Sequence, residues 1–160
     1  MEGVRIRPYR PGDEHALAEV FFTSVREAGR RDYSEEQVRA WAVEQPHPST
    51  FADRARDGRL VLVAVDANDR VIAYADLEHD GHVDHLYCRP AWIGRGVGSA
   101  LYDAIESEAR ARGMQRLFVE ASDAARRLFE RKGFRVVRRN DLERHGVDLH
   151  NFDMEKDLWH

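Results

Sequence analysis

The stretch Arg89-Pro90-Ala91-Trp92-Ile93-Gly94-Arg95-Gly96-Val97-Gly98-Ser99-Ala100-Leu101 decides how the rest of the chain is read. An apolar-rich run over residues 83–88 precedes it and a helix-periodic segment follows it. Glycines alternate at positions 94, 96 and 98, where strand gives way to helix. Glycine takes φ > 0 without steric cost and lets a ligand approach the backbone. The first N–H groups of a helix have no partner within it and lie at the positive end of its dipole. A glycine loop that opens a helix is therefore an anion site, most often for phosphate, and Arg95 adds charge inside it. The spacing is neither the G-x-G-x-x-G of a dinucleotide loop nor the G-K-[ST] ending of an ATP loop.

Upstream, the apolar runs 60–65 and 71–77 read as strands joined at the turn signal Asn68-Asp69. Asp80-Gly81 turns the chain into the strand 83–88, which makes three antiparallel neighbours. Downstream, the helix after the loop places Val97, Leu101, Ala104, Ile105 and Glu108 on one face and stops at Gly113. Residues 117–120 form a strand, and the right-handed crossover rule lays it parallel to 83–88. Ser122 caps a last helix, with Ala125, Leu128 and Phe129 inward and Gly133 as its stop. Strands over about 134–143 and 149–154 finish the chain.

At the other end, residues 4–7 alternate as an edge strand. Asp13 caps a helix carrying Leu17, Val20 and Phe21. Ser34 and Gln37 form a capping box for a short helix with Val38 and Trp41, and Ser49 caps a third that runs to Arg56. The order is β-α-α-(α)-β-β-β-α-β-α-β-β. The fold class is α+β: a mixed, mostly antiparallel twisted sheet with one central parallel β-α-β crossover and flanking helices. Residues 1–160 read as one domain.

A formal net charge of −4 argues against nucleic acid and a membrane surface as partners. Cys88 is the single cysteine, so no intramolecular disulfide can form, as suits a reducing compartment. Glu2, Arg5 and Arg7 open the chain without an apolar stretch. Nor does any apolar run approach the ~20 residues of a membrane span. The expectation is a cytoplasmic protein.

The loop, with its R-G-x-G-S-A-L spacing after a strand and an Arg-Pro corner, resembles the acyl-CoA loop of the GNAT (GCN5-related) N-acetyltransferases, usually Q/R-x-x-G-x-G/A. Ile93 stands where Gln or Arg is usual. Ala124-x3-Leu128-Phe129-Glu130-Arg131-Lys132-Gly133-Phe134 is similar to the family's last helix and turn. Tyr33-Ser34-x2-Gln37-x3-Trp41-Ala42 and Asn151-Phe152-x-Met154-x-Lys156 look like the YafP-like subgroup. The resemblance implies an acetyl-CoA-dependent N-acetyltransferase that acts on a primary amine by direct attack in a ternary complex, without a metal. An acyl-CoA-binding sensor with little catalysis is the alternative. It implies cofactor contacts from Leu86, Tyr87 and Cys88, from Ile93, Gly94, Arg95, Gly96, Val97, Gly98 and Ser99, and from Ser122 and Phe129. It also implies an acceptor wall with Tyr33 and Trp41, and a monomer or homodimer. Ser122 replaces a common Asn. Phe129 replaces a common Tyr whose hydroxyl protonates the departing sulfur.

Acyl transfer to an amine needs a neutral nucleophile, a stabilised oxyanion and a leaving thiolate. An amine with a pKa near 10 is mostly protonated at pH 7, so a base is expected on the strand before the loop. Asp84 is the first candidate and His82 the second, two residues apart on one face; pairing with an arginine is the structural alternative for Asp84. Tyr87 is the candidate acid. His79, His82 and His85 recur every three residues, but a strand points His82 and His85 to opposite faces, so no metal site is expected.

Overall fold

The computed structural model describes residues 3–159. Strands β1 (Arg5–Pro8), β2 (Leu60–Val65), β3 (Val71–Leu77) and β4 (Leu86–Cys88) form an antiparallel sheet in that order. Strands β5 (Arg116–Ala121), β6 (Arg135–Arg144) and β7 (Val147–Asp157) form a second antiparallel sheet with β7 in the middle. The helices are α1 (Glu14–Arg26), α2 (Glu35–Trp41), α3 (Pro48–Ala55), α4 (Val97–Ala111) and α5 (Asp123–Arg131). The element order is the one read from the sequence.

Strands β2 and β3 are apolar on both faces because both faces are covered. On one side α4 and β5 close a core with Leu62, Ile72, Leu101, Ile105 and Leu117. On the other, α1 and α3 bring Leu17, Val20 and Phe51 against Val63 and Tyr74. Each large side chain so buried contributes about 1.5–3 kcal/mol. On α4 the inward residues are Val97, Leu101, Tyr102, Ile105 and Ala109, while Glu108, expected on that face, is exposed. Two caps also differ. Asp13 occupies the N-cap of α1 without bonding its amides, because Arg7 and the Arg10 N–H hold its carboxylate. His47, not Ser49, caps α3, its Nδ1 accepting the Ser49 N–H.

The expected parallel crossover narrows to one bridge, His82 to Phe118. There the Val83 N–H donates to Phe118 O at 2.9 Å and the Phe118 N–H to Gly81 O at 3.0 Å. Gly81 is required at this junction: its φ is +95°, and a Cβ would lie 2.2 Å from the Arg116 carbonyl oxygen. Beyond the bridge the sheets part. The expected strand 83–88 is ladder-paired only over Leu86–Cys88, and buried Asp76 is the cause. Its Oδ1 accepts the N–H groups of Asp84 (3.0 Å) and His85 (2.9 Å). The Asp76 N–H donates to His85 O, and the Glu78 N–H to His82 O. Leu77 thus faces two residues, Val83 and Asp84, across a β-bulge, which bends a strand and increases its twist.

Candidate functional site

The parted strands leave a cleft of about 390 Å³. Leu86, Tyr87 and Cys88 form one side and Val119 and Glu120 the other. Helix α5 runs along the cleft, from Asp123, whose N–H meets the Tyr33 hydroxyl, to Leu128, which meets the loop at Gly98, and Val38 and Trp41 of the early helical segment line it beside Tyr33. The pairing pattern fixes the chemistry of its edges. His85 O and the Arg89 N–H bond to β3, as does Tyr87 through its pairing with Tyr74. Antiparallel alternation then turns the backbone N–H and C=O groups of Leu86 and Cys88 away from β3, toward the gap. Glu120, two residues after the bridged Phe118, does the same from β5.

Gly94 (φ +80°) and Gly96 (φ +85°) hold the left-handed backbone that turns the chain into α4. Gly96 is the N-cap and offers no side chain, so the amides of Val97, Gly98 and Ser99 have no partner within the helix. Gly98 lies against Leu86 and Leu128, where a Cβ would sit 3.6–3.7 Å from their methyl groups. Ile93, Gly94, Gly96, Val97, Gly98 and Ser99 all line the cleft. Arg95 does not; its guanidinium stacks on the Trp92 indole, 4.1 Å from the ring centroid. Ser122 and Phe129 line the cleft too. The Ser122 hydroxyl accepts the Ala125 N–H as a helix cap, and the Phe129 ring packs edge-on against Tyr102 and Phe134.

The candidate catalytic residues separate. Asp84 lines the cleft, but its Oδ2 accepts from Arg54 (2.8 Å) and Arg59 (3.1 Å). Burial alone would raise this carboxyl; the His85 charge when present, and the two guanidiniums, overcome that and bring it down to about 2. A carboxylate so held is a weak proton acceptor, which is the structural alternative foreseen for it. His82 joins the same charge network through Glu78, which also meets Arg59. Its ring nitrogens meet Glu78 (2.7 Å) and Glu120 (2.9 Å), and the ring stacks on Phe118. The Glu120 bond, against burial and with help from Glu78, raises its pKa to about 9. His85 is pulled down to about 4 by burial and the Arg54 charge; it meets the Tyr74 hydroxyl at 2.9 Å. Burial pushes the Tyr87 hydroxyl up to about 12 and the Cys88 thiol up to about 11. Both stay protonated at neutral pH, and a protonated Cys88 thiol is no nucleophile. The Tyr33 hydroxyl accepts the Asp123 N–H at 3.1 Å, which ties the early helical segment to α5. Trp41 faces the cleft with Arg144 over its ring. Among the described residues no three His, Cys, Asp or Glu side chains form a metal-ligand group, and no helix is long and apolar enough to cross a membrane.

A family model for the acetyltransferase (GNAT) domain matches residues 30–158. The chain is 32% identical over 155 residues to the uncharacterized N-acetyltransferase YafP of Escherichia coli K12, covering 96% of each. The chain belongs to the GNAT acetyltransferase family. A GCN5-related N-acetyltransferase from Rhodopseudomonas palustris superposes on this GNAT chain with a TM-score of 0.88 and 38% identity, over 99% of this chain and 98% of that one. A phosphinothricin acetyltransferase from Sinorhizobium meliloti, solved in complex with acetyl-CoA, shares the fold at a TM-score of 0.77 and 22% identity, over 98% and 89%.

Four residues of this GNAT site escaped the sequence reading: Asp76, Arg54, Arg59 and Glu120. Asp76 was the detectable one, a carboxylate in the otherwise apolar run Val71-Ile72-Ala73-Tyr74-Ala75-Asp76-Leu77. A charge at that place in a buried strand needs partners. Here Arg54 (2.6 Å) and Arg59 (3.1 Å) supply them.

Proposed function

We propose that the protein transfers an acetyl group from acetyl-CoA to the primary amine of a small molecule by direct attack in a ternary complex, in the cytoplasm. One observation carries this reading. The unspent amides of the α4 start and the free edge of β4 open into the same cleft, so a phosphate-bearing thioester can bind along both. Val97, Gly98 and Ser99 would hold the pyrophosphate. Leu86 and Cys88 would donate backbone N–H groups to the pantetheine and to the carbonyl oxygen as charge develops on it. An amine nitrogen from the Tyr33–Trp41 end then forms the C–N bond as the C–S bond breaks. The sulfur keeps the electron pair and takes a proton from Tyr87, the hydroxyl this chain offers in place of one at Phe129, and Tyr87 is restored by the proton that the attacking nitrogen sheds as it becomes an amide.

Thermal stabilisation by acetyl-CoA, followed by thiol release over an amine panel, tests the reading. Gly96→Asp places a carboxylate at the helix start, and the left-handed backbone there strains any side chain. The variant is expected to lose the acetyl-CoA shift. Normal acetyl-CoA binding by a folded Gly96→Asp protein removes the loop assignment. Binding without thiol release from any amine supports the sensor alternative.

A further inference from the structure

We propose that the acceptor is a cationic amine bearing no acid group, and that Glu120 is the residue that receives its ammonium. This rests on the amine-acetylating reading above and names its substrate class. Three carboxylates line the cleft, on Asp32, Asp84 and Glu120. Among the described residues the lining holds one cationic side chain, Arg131. Arg131 lies one turn past Leu128, the residue that meets Gly98 of the loop, whereas Tyr33 is tied to Asp123 at the opposite end of α5. Arg131 therefore belongs to the phosphate end, and the acceptor end presents carboxylates.

The balancing cations stand behind the wall. Arg127 chelates Asp32 at 2.9–3.0 Å. Arg54 and Arg59 hold Asp84, and His82 holds Glu120. In the linked network five carboxylates (Asp57, Asp76, Glu78, Asp84 and Glu120) face three cations (Arg54, Arg59 and protonated His82), a net charge of −2. A ligand ammonium would be attracted to this surface and a ligand carboxylate repelled.

Glu120 is better placed than Asp84 to meet the ammonium. Two guanidiniums occupy Asp84 Oδ2, whereas Glu120 has one partner, the His82 Nε2, at 2.9 and 3.0 Å from its two oxygens. Its side chain is 44% exposed, which leaves an acceptor position on each oxygen free for a second donor. Its backbone lies on the open edge of β5, across from Leu86 and Cys88. The ammonium gives one proton to the Glu120 carboxylate, the freed lone pair attacks the acetyl carbonyl carbon, and the proton passes to water after transfer.

The test uses amine pairs that differ by one carboxylate: phenethylamine against phenylalanine, and cadaverine against lysine. With saturating acetyl-CoA, the member without the carboxylate should show a kcat/KM at least about tenfold higher. Glu120→Gln should lower that value by about 10²-fold or more while acetyl-CoA affinity holds. The defect should be smaller for an amine of low pKa, which is already neutral; a merely structural role would affect both kinds of amine alike. Equal or better use of the amino acids overturns the proposal, as does wild-type turnover by Glu120→Gln. If no amine is acetylated, thermal shifts on wild-type protein decide, and stronger or equal stabilisation by the amino acids, or none by any amine, overturns it. Failure of acetyl-CoA to bind counts instead against the parent activity, and the amine ranking by thermal shift still decides the charge preference.

Discussion

Replacing Asp76 by alanine should cost more stability than any surface change, and the structure allows the amount to be worked out. Asp76 is 1% exposed and accepts four hydrogen bonds: from Arg54, Arg59, and the backbone N–H groups of Asp84 and His85. Leaving two partly buried N–H groups without acceptors costs about 1–3 kcal/mol each. Removing one partner of a buried ion pair costs about 3–5 kcal/mol when the other is stranded. Here it is not wholly stranded, because Asp84 still serves both arginines and Asp57 still serves Arg59. The ionic contribution therefore falls below that range, and about 4 kcal/mol is expected in total. For a domain of this size that lowers Tm by about 8–16 °C. Asp76→Asn keeps an oxygen for the two backbone N–H groups but turns an NH2 donor toward Arg54 and Arg59, losing the charge and both hydrogen bonds to them, so about 1.5–3 kcal/mol is expected. Urea unfolding of both variants, with amide shifts of Asp84 and His85 as the local readout, checks this. An Asp76→Ala protein within 1 kcal/mol of wild type, or one in which those two amides do not move, would refute the argument that Asp76 makes the bulge.

Two further predictions concern the junction and the pH range. Gly81→Ala should largely abolish soluble folded protein in an expression and circular-dichroism comparison, whereas Gly98→Ala should fold, because its Cβ meets only ordinary contacts at 3.6–3.7 Å. Stability measured by urea titration should fall on both sides of about pH 6–7. His82, raised to about 9, contributes fully below about pH 6.5 and loses that contribution as pH rises through 9. On the acid side, neutral His85, lowered to about 4, begins to weaken the fold as pH drops below about 6.5, while Asp84, lowered to about 2, loses its contribution as pH falls below about 4. His82→Gln should flatten the alkaline limb alone; an unchanged limb would remove the Glu78–His82–Glu120 pairing from the account.

Much of this was legible in the chain because the chemistry is local. A left-handed turn into a helix favours glycine, so Gly94 and Gly96 stand out. The apolar runs gave β2 and β3 to the residue because those strands are covered on both faces. The capping box at Ser34 and Gln37 formed as read, both bonds being three residues apart. What stayed hidden depends on contacts between distant positions. The Asp84 side chain reaches arginines 25 and 30 residues away, and strict alternation along 83–88 could not anticipate an inserted residue. Asp13 was a sound cap by type, but Arg7 competed for its carboxylate. Glu120 becomes a cleft residue only because β5 meets the chain at Gly81–Val83, a pairing no spacing in the sequence encodes.

The cleft owes its position to the short distance between two opposed devices. Gly81 lets the backbone touch the Arg116 carbonyl and fixes the sheets together. Asp76 seizes the amides of Asp84 and His85 and turns the same strand away just past Val83. Had the bulge been absent, Leu86 and Cys88 would have continued the ladder onto β5, and their N–H and C=O groups would have been satisfied within the protein. Parting the strands leaves those groups facing a largely apolar cleft, where an unpaired backbone group costs free energy. Any ligand that carries its own amide donors and acceptors along the β4 edge relieves that cost on binding. The buried charge of Asp76 thus converts folding free energy into an open strand edge. Mutations that relax the bulge are expected to weaken pantetheine binding before they touch any residue that contacts the amine.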